Sequence, residues 1–107
     1  MTAKYKVYMV RCVDNSIYTG ITTDIARRMY EHKAKKAAGA KYTKSHTALK
    51  IEAVWECDSR AAASKLEYRI KRLSKAQKEK LITDGLPDDI DGISGSDYSR
   101  VTDFPKI

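Results

Sequence analysis

The chain has 107 residues, the size of one small domain rather than two. Hydrophobic residues make up 42% and charged residues 33% of it, a balance typical of a soluble globular protein. Its apolar runs are far shorter than the roughly 18–20 residues that a membrane-spanning helix requires, and no secretory signal pattern is visible. We therefore expect a cytoplasmic protein without membrane spans.

The charge is unevenly distributed along the chain. Residues 1–83 carry 19 Lys and Arg against 8 Asp and Glu, a net charge of +11, whereas residues 84–107 carry 2 against 6, a net charge of −4. A surplus of this size attracts polyanions, most commonly nucleic acid, although excess lysine can also serve solubility alone. We predict a basic folded domain over residues 1–83 and an acidic, flexible C-terminal tail over residues 84–107.

Two regions have strand patterns. Residues 5–12 are rich in β-branched and aromatic side chains, and turn-forming residues at 14–16 separate them from a short apolar run at 17–19. This arrangement predicts a β-hairpin. Residues 49–57 alternate between apolar and polar side chains, which predicts a strand with one buried face.

Three regions have helix patterns. The first covers about residues 24–37, Ser59 can cap a second, and the capping box in residues 74–77 opens a third that ends before Gly85. The order ββαβαα predicts an α+β fold in which helices cover a three-stranded, mostly antiparallel sheet.

Tyr8 and Tyr18 lie on the two strands of the predicted hairpin. Because side chains alternate between the two faces of a sheet, an odd-numbered loop places both hydroxyl groups on one face and an even-numbered loop separates them. The sequence leaves this register open, and ordinary packing of two strand tyrosines is the alternative to a functional pair.

Arg28 and His32 are four residues apart on the first helix and therefore neighbours on one face. A guanidinium group can bind phosphate bidentately, and an imidazole can exchange protons near neutral pH. The alternatives are a solvated basic face for Arg28 and a packed helix residue for His32. Arg27 is the competing arginine and points about 100° away from Arg28.

Glu67 is the only acidic residue between positions 59 and 73, and it borders the apolar stripe of the second helix. A carboxylate in that position is costly unless it pairs with a cation or binds a metal ion. Ion pairing with Lys71 or Arg28 is one interpretation. The other is a metal site, because Mg²⁺ is often held by one or two carboxylates together with water and substrate phosphate.

These residues together resemble a known family. Val7-Tyr8, then Tyr18-Thr19-Gly20 ten residues later, then Arg28 and a glutamate in a later helix are similar to the GIY-YIG nuclease superfamily, particularly its small stand-alone bacterial members. The likeness extends from about residue 5 to residue 82.

The resemblance implies a one-metal phosphodiesterase that uses Mg²⁺ or Mn²⁺. In this family pattern Glu67 would hold the metal ion, and Arg28 would stabilise charge on the scissile phosphate. Tyr8 would help to activate the attacking water, while Tyr18 and His32 would position or relay protons. A metal ion and an arginine at the developing charge are main requirements of phosphoryl chemistry.

The function we expect is therefore a metal-dependent endonuclease that hydrolyses phosphodiester bonds in DNA, with branched or damaged DNA as candidate substrates. A non-catalytic basic module that binds nucleic acid with the same fold is the alternative, and a protein-interaction adaptor is a third class. RNA is the alternative polymer. Five lysines near the end of the first helix and in the following loop are expected to contact phosphates: Lys33, Lys35, Lys36, Lys41 and Lys44.

The acidic tail is tethered to the basic domain, so even weak attraction would let it compete with nucleic acid. Screening of part of the basic face by this tail is therefore one hypothesis. The simpler interpretation, which we favour, is an inert solubilising extension, and Phe104-Pro105 could instead dock on the core.

Overall fold

The computed structural model describes residues 4–34, 48–90, 92–102 and 104. Its strands and helices follow in the order β1 (Tyr5–Cys12), β2 (Ile17–Thr22), α1 (Ile25–Ala34), β3 (Ala48–Cys57), α2 (Arg60–Lys71), α3 (Lys75–Asp84), β4 (Asp89–Ile90), β5 (Ile93–Ser94) and β6 (Ser99–Val101). No helix in this part of the chain is long and apolar enough to cross a membrane.

The main sheet is antiparallel and has the strand order β2–β1–β3–β6, while β4 and β5 form a separate small hairpin. The predicted α+β fold with an antiparallel sheet covered by helices is confirmed. The sheet has four strands rather than three because residues 99–101 pair with β3, and the expected order ββαβαα therefore continues into three further short strands.

The hairpin register answers the question that the sequence left open. Asn15 adopts a left-handed φ of 72° in the turn, and Asp14 Oδ1 accepts a hydrogen bond from the Ser16 amide at 3.1 Å. Tyr8 lies opposite Gly20, two residues from Tyr18 on the neighbouring strand. Both tyrosines therefore lie on the same face of the sheet.

Local capping signals set the starts of the second and third helices. Ser59 Oγ accepts the Ala62 amide at 3.1 Å, which caps α2. At the start of α3, Ser74 and Gln77 accept each other's backbone amides at 3.2 and 2.9 Å, so the predicted capping box is confirmed. Helix α1 begins at Ile25, and residues 35–37 of its predicted range lie outside the described residues.

The sheet is buried on both faces. One face packs against α2 and α3 through an apolar cluster that includes Val7, Met9, Trp55, Leu66, Ile70 and Leu81. The other packs against α1 through Tyr8, Val10, Val54 and Met29. The prediction that β3 has one buried face is wrong, because this central strand has apolar clusters on both sides and Val54 is fully buried.

The expectation of a flexible tail is also wrong for most of residues 84–107. Tyr98 is 8% exposed, and its hydroxyl donates to the Ala62 carbonyl at 2.6 Å. The Arg100 guanidinium lies 5.2 Å from the centroid of the Trp55 ring, and Phe104 packs on the cluster that contains Tyr8. These polar and apolar contacts hold the segment to the core, and β6 lies at the sheet edge opposite β2. The docking of Phe104 that the sequence offered as an alternative is confirmed.

Thr19 provides a test of the packing beneath β2. Its hydroxyl is buried and has no hydrogen-bond partner among the described residues. Because an unsatisfied buried hydroxyl costs about 1–3 kcal/mol, Thr19→Val should raise the melting temperature by several degrees. Thr22→Val is the control and should lower it, since the Thr22 hydroxyl accepts the Asp24 amide at 3.0 Å. A lower melting temperature for Thr19→Val would contradict the assignment.

Arg11 joins three elements at one end of the sheet. Its guanidinium donates to Glu52 on β3 at 2.7 Å and to Glu79 on α3 at 2.6 Å, and Lys75 pairs with Glu79 at 3.2 Å. Hydrogen bonding from Arg11 lowers the pKa of Glu79 from 4.5 to about 2. The arginine therefore ties the hairpin to a helix that is distant in sequence.

This lowered pKa predicts how stability depends on pH. Since the pKa is lower in the folded state, the Glu79 carboxylate stabilises the fold above about pH 4.5, and this contribution is lost as the pH falls towards about 2. We expect the difference in unfolding free energy between the wild type and Glu79→Gln to shrink between pH 6 and pH 3, measured by denaturant unfolding. A difference that stays constant over this range would contradict the pairing.

Candidate active site

Arg28 and Tyr8 form a partly buried polar contact on the α1 side of the sheet. The Arg28 Nε–H donates to the Tyr8 hydroxyl at 3.1 Å, and Nη1 pairs with Glu31 at 3.2 Å. Burial opposes the charge of Arg28, but the contacts with Tyr8 and Glu31 outweigh it, and the pKa of Arg28 is raised. The guanidinium is thus fixed and charged, with further N–H groups available to an anion.

Tyr8 itself is fully buried. Burial raises the pKa of Tyr8 well above its usual range, although the hydrogen bond from Arg28 acts in the opposite direction. Its hydroxyl therefore stays protonated at neutral pH and is enclosed in the structure. The immediate role that this geometry gives to Tyr8 is to orient Arg28.

The glycine of the Tyr18-Thr19-Gly20 motif is required by the approach of Tyr8. Gly20 lies directly across from Tyr8 in the hairpin, and a Cβ atom at this position would lie 2.5 Å from the Tyr8 hydroxyl oxygen. The Tyr8 side chain therefore occupies the space that any other residue's side chain would need.

Gly20→Ala should accordingly displace the Tyr8 ring and, through it, Arg28. We expect a loss of stability of about 1–3 kcal/mol, typical of overpacking, together with a larger relative loss of any Arg28-dependent activity. Unfolding measurements and cleavage assays on the same preparation check this. The matched control is Gly92→Ala, because a methyl group added at Gly92 would have no neighbour within 4 Å and only the φ of 88° opposes the change. Wild-type activity in Gly20→Ala would contradict the positioning role.

Glu67 lies on α2, whose apolar stripe packs on the opposite face of the sheet. Its carboxylate pairs with Lys71 at 3.3 Å, and the Lys71 ammonium lies 5.9 Å from the centroid of the Tyr18 ring. The Tyr8 and Tyr18 ring centroids are 6.1 Å apart. Lys71, beside Tyr18 on the edge strand β2, therefore lies between Glu67 and the Tyr8–Arg28 pair.

The donor set allows only a sparse metal site. Within the described part of the chain no three His, Cys, Asp or Glu side chains cluster as metal ligands. Glu67 is 23% exposed and its partner Lys71 is 50% exposed, so the carboxylate is accessible and Lys71 has room to move away. One accessible carboxylate fits a hydrated Mg²⁺ that takes its remaining ligands from water and phosphate.

Several predicted site residues cannot be compared with this geometry. His32 and Lys33 belong to the last turn of α1, but their side chains lie outside the described part of the structure. Lys35, Lys36, Lys41 and Lys44 lie outside the described residues altogether. The proton-relay role of His32 and the five phosphate contacts therefore stay predictions.

The structure adds two residues to the sequence-based site. Glu31 holds Arg28, and the spacing of three residues on one helix is the signal that could have identified it. The sequence suggests Lys71 only as an ion-pair partner for Glu67, whereas it also approaches Tyr18. No sequence pattern predicts that second contact, because it depends on how α2 packs against the hairpin.

Comparisons with known proteins identify the family to which the chain belongs. The family model of the GIY-YIG catalytic domain matches residues 4–80. A UPF0213 protein of Fusobacterium nucleatum is 52% identical over 79 residues, which cover 74% of this chain and 77% of that protein. A UPF0213 protein of Halobacterium salinarum is 47% identical over 77 residues, covering 72% and 97%. The solution structure of a UPF0213 protein from Bacillus halodurans is 38% identical, covers 78% of this chain and 88% of its own, and has a TM-score of 0.47. The chain therefore belongs to the GIY-YIG family of nuclease domains.

Proposed function

We propose that the protein is a metal-dependent endonuclease that hydrolyses phosphodiester bonds in DNA, with branched or damaged DNA as candidate substrates. The observation that carries the proposal is the Arg28 guanidinium, held at 3.1 Å by the buried Tyr8 hydroxyl on the face that it shares with Tyr18. The Arg28 guanidinium is held in place, keeps further N–H donors and is partly exposed. It can therefore stabilise a phosphate group whose negative charge increases during the reaction.

In the proposed reaction, a water oxygen forms a bond to phosphorus while one P–O ester bond breaks. The departing oxygen takes a proton, which leaves one strand end as a phosphate monoester and the other as a hydroxyl. Arg28 stabilises the additional negative charge on the phosphate oxygens. Tyr8 and Glu31 hold the guanidinium in place, so little reorganisation is needed during the reaction.

Glu67 is the residue that would hold Mg²⁺ or Mn²⁺, with its carboxylate released from Lys71. When bound, the ion supplies Lewis-acid stabilisation of the phosphate and a more acidic water. Lys71 remains next to Tyr18 and adds positive charge at the same edge. Tyr18 is half-buried, so its hydroxyl is better placed than that of Tyr8 to contact a substrate.

Cleavage of plasmid, branched, single-stranded and damaged DNA, with RNA included for comparison, tests the proposal. The reactions contain Mg²⁺ or Mn²⁺ and are repeated with EDTA. We expect cleavage of at least one DNA substrate that EDTA abolishes. No cleavage of any substrate with either metal, by a protein that is folded and binds DNA, would overturn it.

The alternative of a non-catalytic module that binds nucleic acid is favoured by two specific observations. Glu67 is already paired with Lys71, and Tyr8 is enclosed rather than open to substrate. For that function we expect salt-dependent binding to DNA without turnover, because phosphate contacts release counterions.

A further inference from the structure

Three arginines from two helices that are distant in sequence line one cavity beside the candidate active site. Arg27 and Arg28 come from the first turn of α1, and Arg60 is the first residue of α2. The cavity has a volume of about 320 Å³, and its other polar lining includes Thr22, Thr23 and Tyr5. The end of β2 and the first turns of α1 and α2 meet at this end of the sheet. They therefore place three positively charged side chains around one cavity.

Little negative charge balances these guanidinium groups. Arg28 pairs with Glu31, but none of the ion pairs among the described residues involves Arg27 or Arg60. The nearby Asp24 uses its carboxylate to cap α1, accepting the Arg27 backbone amide at 3.1 Å. Guanidinium groups that line one cavity attract an anion, and their planar donor geometry matches phosphate.

The hydroxyl groups at the end of β2 differ in availability. Thr22 Oγ1 is engaged with Asp24, since it accepts the Asp24 amide at 3.0 Å and donates to the Asp24 carbonyl at 3.2 Å. Thr23 is exposed and lines the same cavity. It is therefore the hydroxyl that can donate to a bound anion.

We propose that Arg27, Arg60 and Thr23 form a second phosphate-binding site, which holds a phosphate of the nucleic-acid strand next to the one bound by Arg28. The inference rests on the proposed function for its choice of a nucleic-acid strand as the ligand. The site is distinct from the metal-binding position. Arg60 and Glu67 are seven residues apart on α2, about 10 Å along the helix axis, so a single phosphate group does not contact both.

A strand that lies along this edge would thus contact Arg60 at one phosphate and approach Glu67 at another. The second site fixes how far the strand extends beyond Arg28, and therefore selects which phosphodiester bond reaches Glu67. A specificity role of this kind needs no separate recognition domain.

The test uses oligonucleotides that carry one uncharged methylphosphonate at successive positions, with binding measured in EDTA so that cleavage plays no part. For the wild type, one neutralised position outside the Arg28 contact should weaken binding by about tenfold, the size expected of a hydrogen bond to a charged group. Arg60→Ala and Arg27→Ala should each weaken binding of the unmodified strand. In these variants, a methylphosphonate at that same position should cause no further loss of affinity. Lys80→Ala, which removes an exposed charge on α3, is the matched control and should keep the wild-type pattern.

A second pair of oligonucleotides, with and without a 5′-phosphate, separates an internal phosphate from a strand end as the source of the ligand. The site is supported if the wild-type affinity depends on the internal phosphate or on the 5′-phosphate, and if Arg60→Ala removes that dependence. The proposal is overturned if Arg27→Ala and Arg60→Ala show the same position dependence as the wild type. Because the readout is binding, absence of cleavage would contradict the proposed function without affecting this result.

Discussion

Glu67→Gln and Arg28→Ala should each reduce metal-dependent DNA cleavage by about 10²–10³-fold, the loss typical when one preorganised contact to a reacting group is removed. Gln keeps the size of the Glu67 side chain but loses the charge that would hold the metal ion. Arg28→Ala removes the cation together with its hydrogen bond to the Tyr8 hydroxyl. Initial cleavage rates and DNA affinities, measured side by side, check the prediction.

The fold should survive both changes. Glu67 loses only an ion pair with the half-exposed Lys71, and pairs of this kind contribute about 0–1 kcal/mol. Lys80→Ala is the control for loss of positive charge on the protein and should cleave at nearly the wild-type rate. If Glu67→Gln and Arg28→Ala both cleave as fast as the wild type, the active site is misassigned. Equal losses in affinity and in rate would instead indicate a binding role.

Deleting residues 88–107 should destabilise the domain severely. The deletion removes β6 from the edge of β3, the buried Tyr98 ring and the apolar contact of Phe104. Loss of one large buried aromatic side chain costs about 3–5 kcal/mol, a large fraction of the roughly 5–15 kcal/mol that stabilises a typical domain. Thermal and denaturant unfolding of the full-length and truncated chains measure this effect.

Two variants separate packing from charge in that segment. Tyr98→Phe should cost only about 1 kcal/mol, because it removes the 2.6 Å hydrogen bond to Ala62 and keeps the ring. Neutralising two exposed acidic residues with Asp88→Asn and Asp97→Asn should leave stability nearly unchanged. A truncated chain as stable as the full-length protein would show that the segment is the detached tail that its composition suggests.

Features that depend on neighbouring residues could be predicted from the sequence. The capping box at Ser74 and the cap at Ser59 are encoded within four residues, and both are confirmed. The family resemblance implied that Tyr8, Tyr18 and Arg28 lie in one region, and the hairpin register and the hydrogen bond from Arg28 to Tyr8 bring them together.

Features that depend on distant contacts could not be predicted in this way. The strand Ser99–Val101 has only three residues in an acidic, polar context, and it forms because β3 offers an unpaired edge. The shared face of Tyr8 and Tyr18 depends on the turn around Asn15, whose conformation the composition does not specify. The approach of Arg60 to Arg28 depends on the packing of two helices that are separated by a strand.

Paramagnetic broadening by Mn²⁺ in NMR spectra of the folded protein, recorded with a short DNA strand present, tests most directly whether the tyrosines, Arg28 and Glu67 form one metal-assisted site. Substoichiometric Mn²⁺ should first broaden the amide signals nearest Glu67 on α2 and Tyr18 on β2, and Glu67→Gln should abolish this selective effect. Broadening centred on another part of the protein, or an identical pattern in Glu67→Gln, would contradict the account.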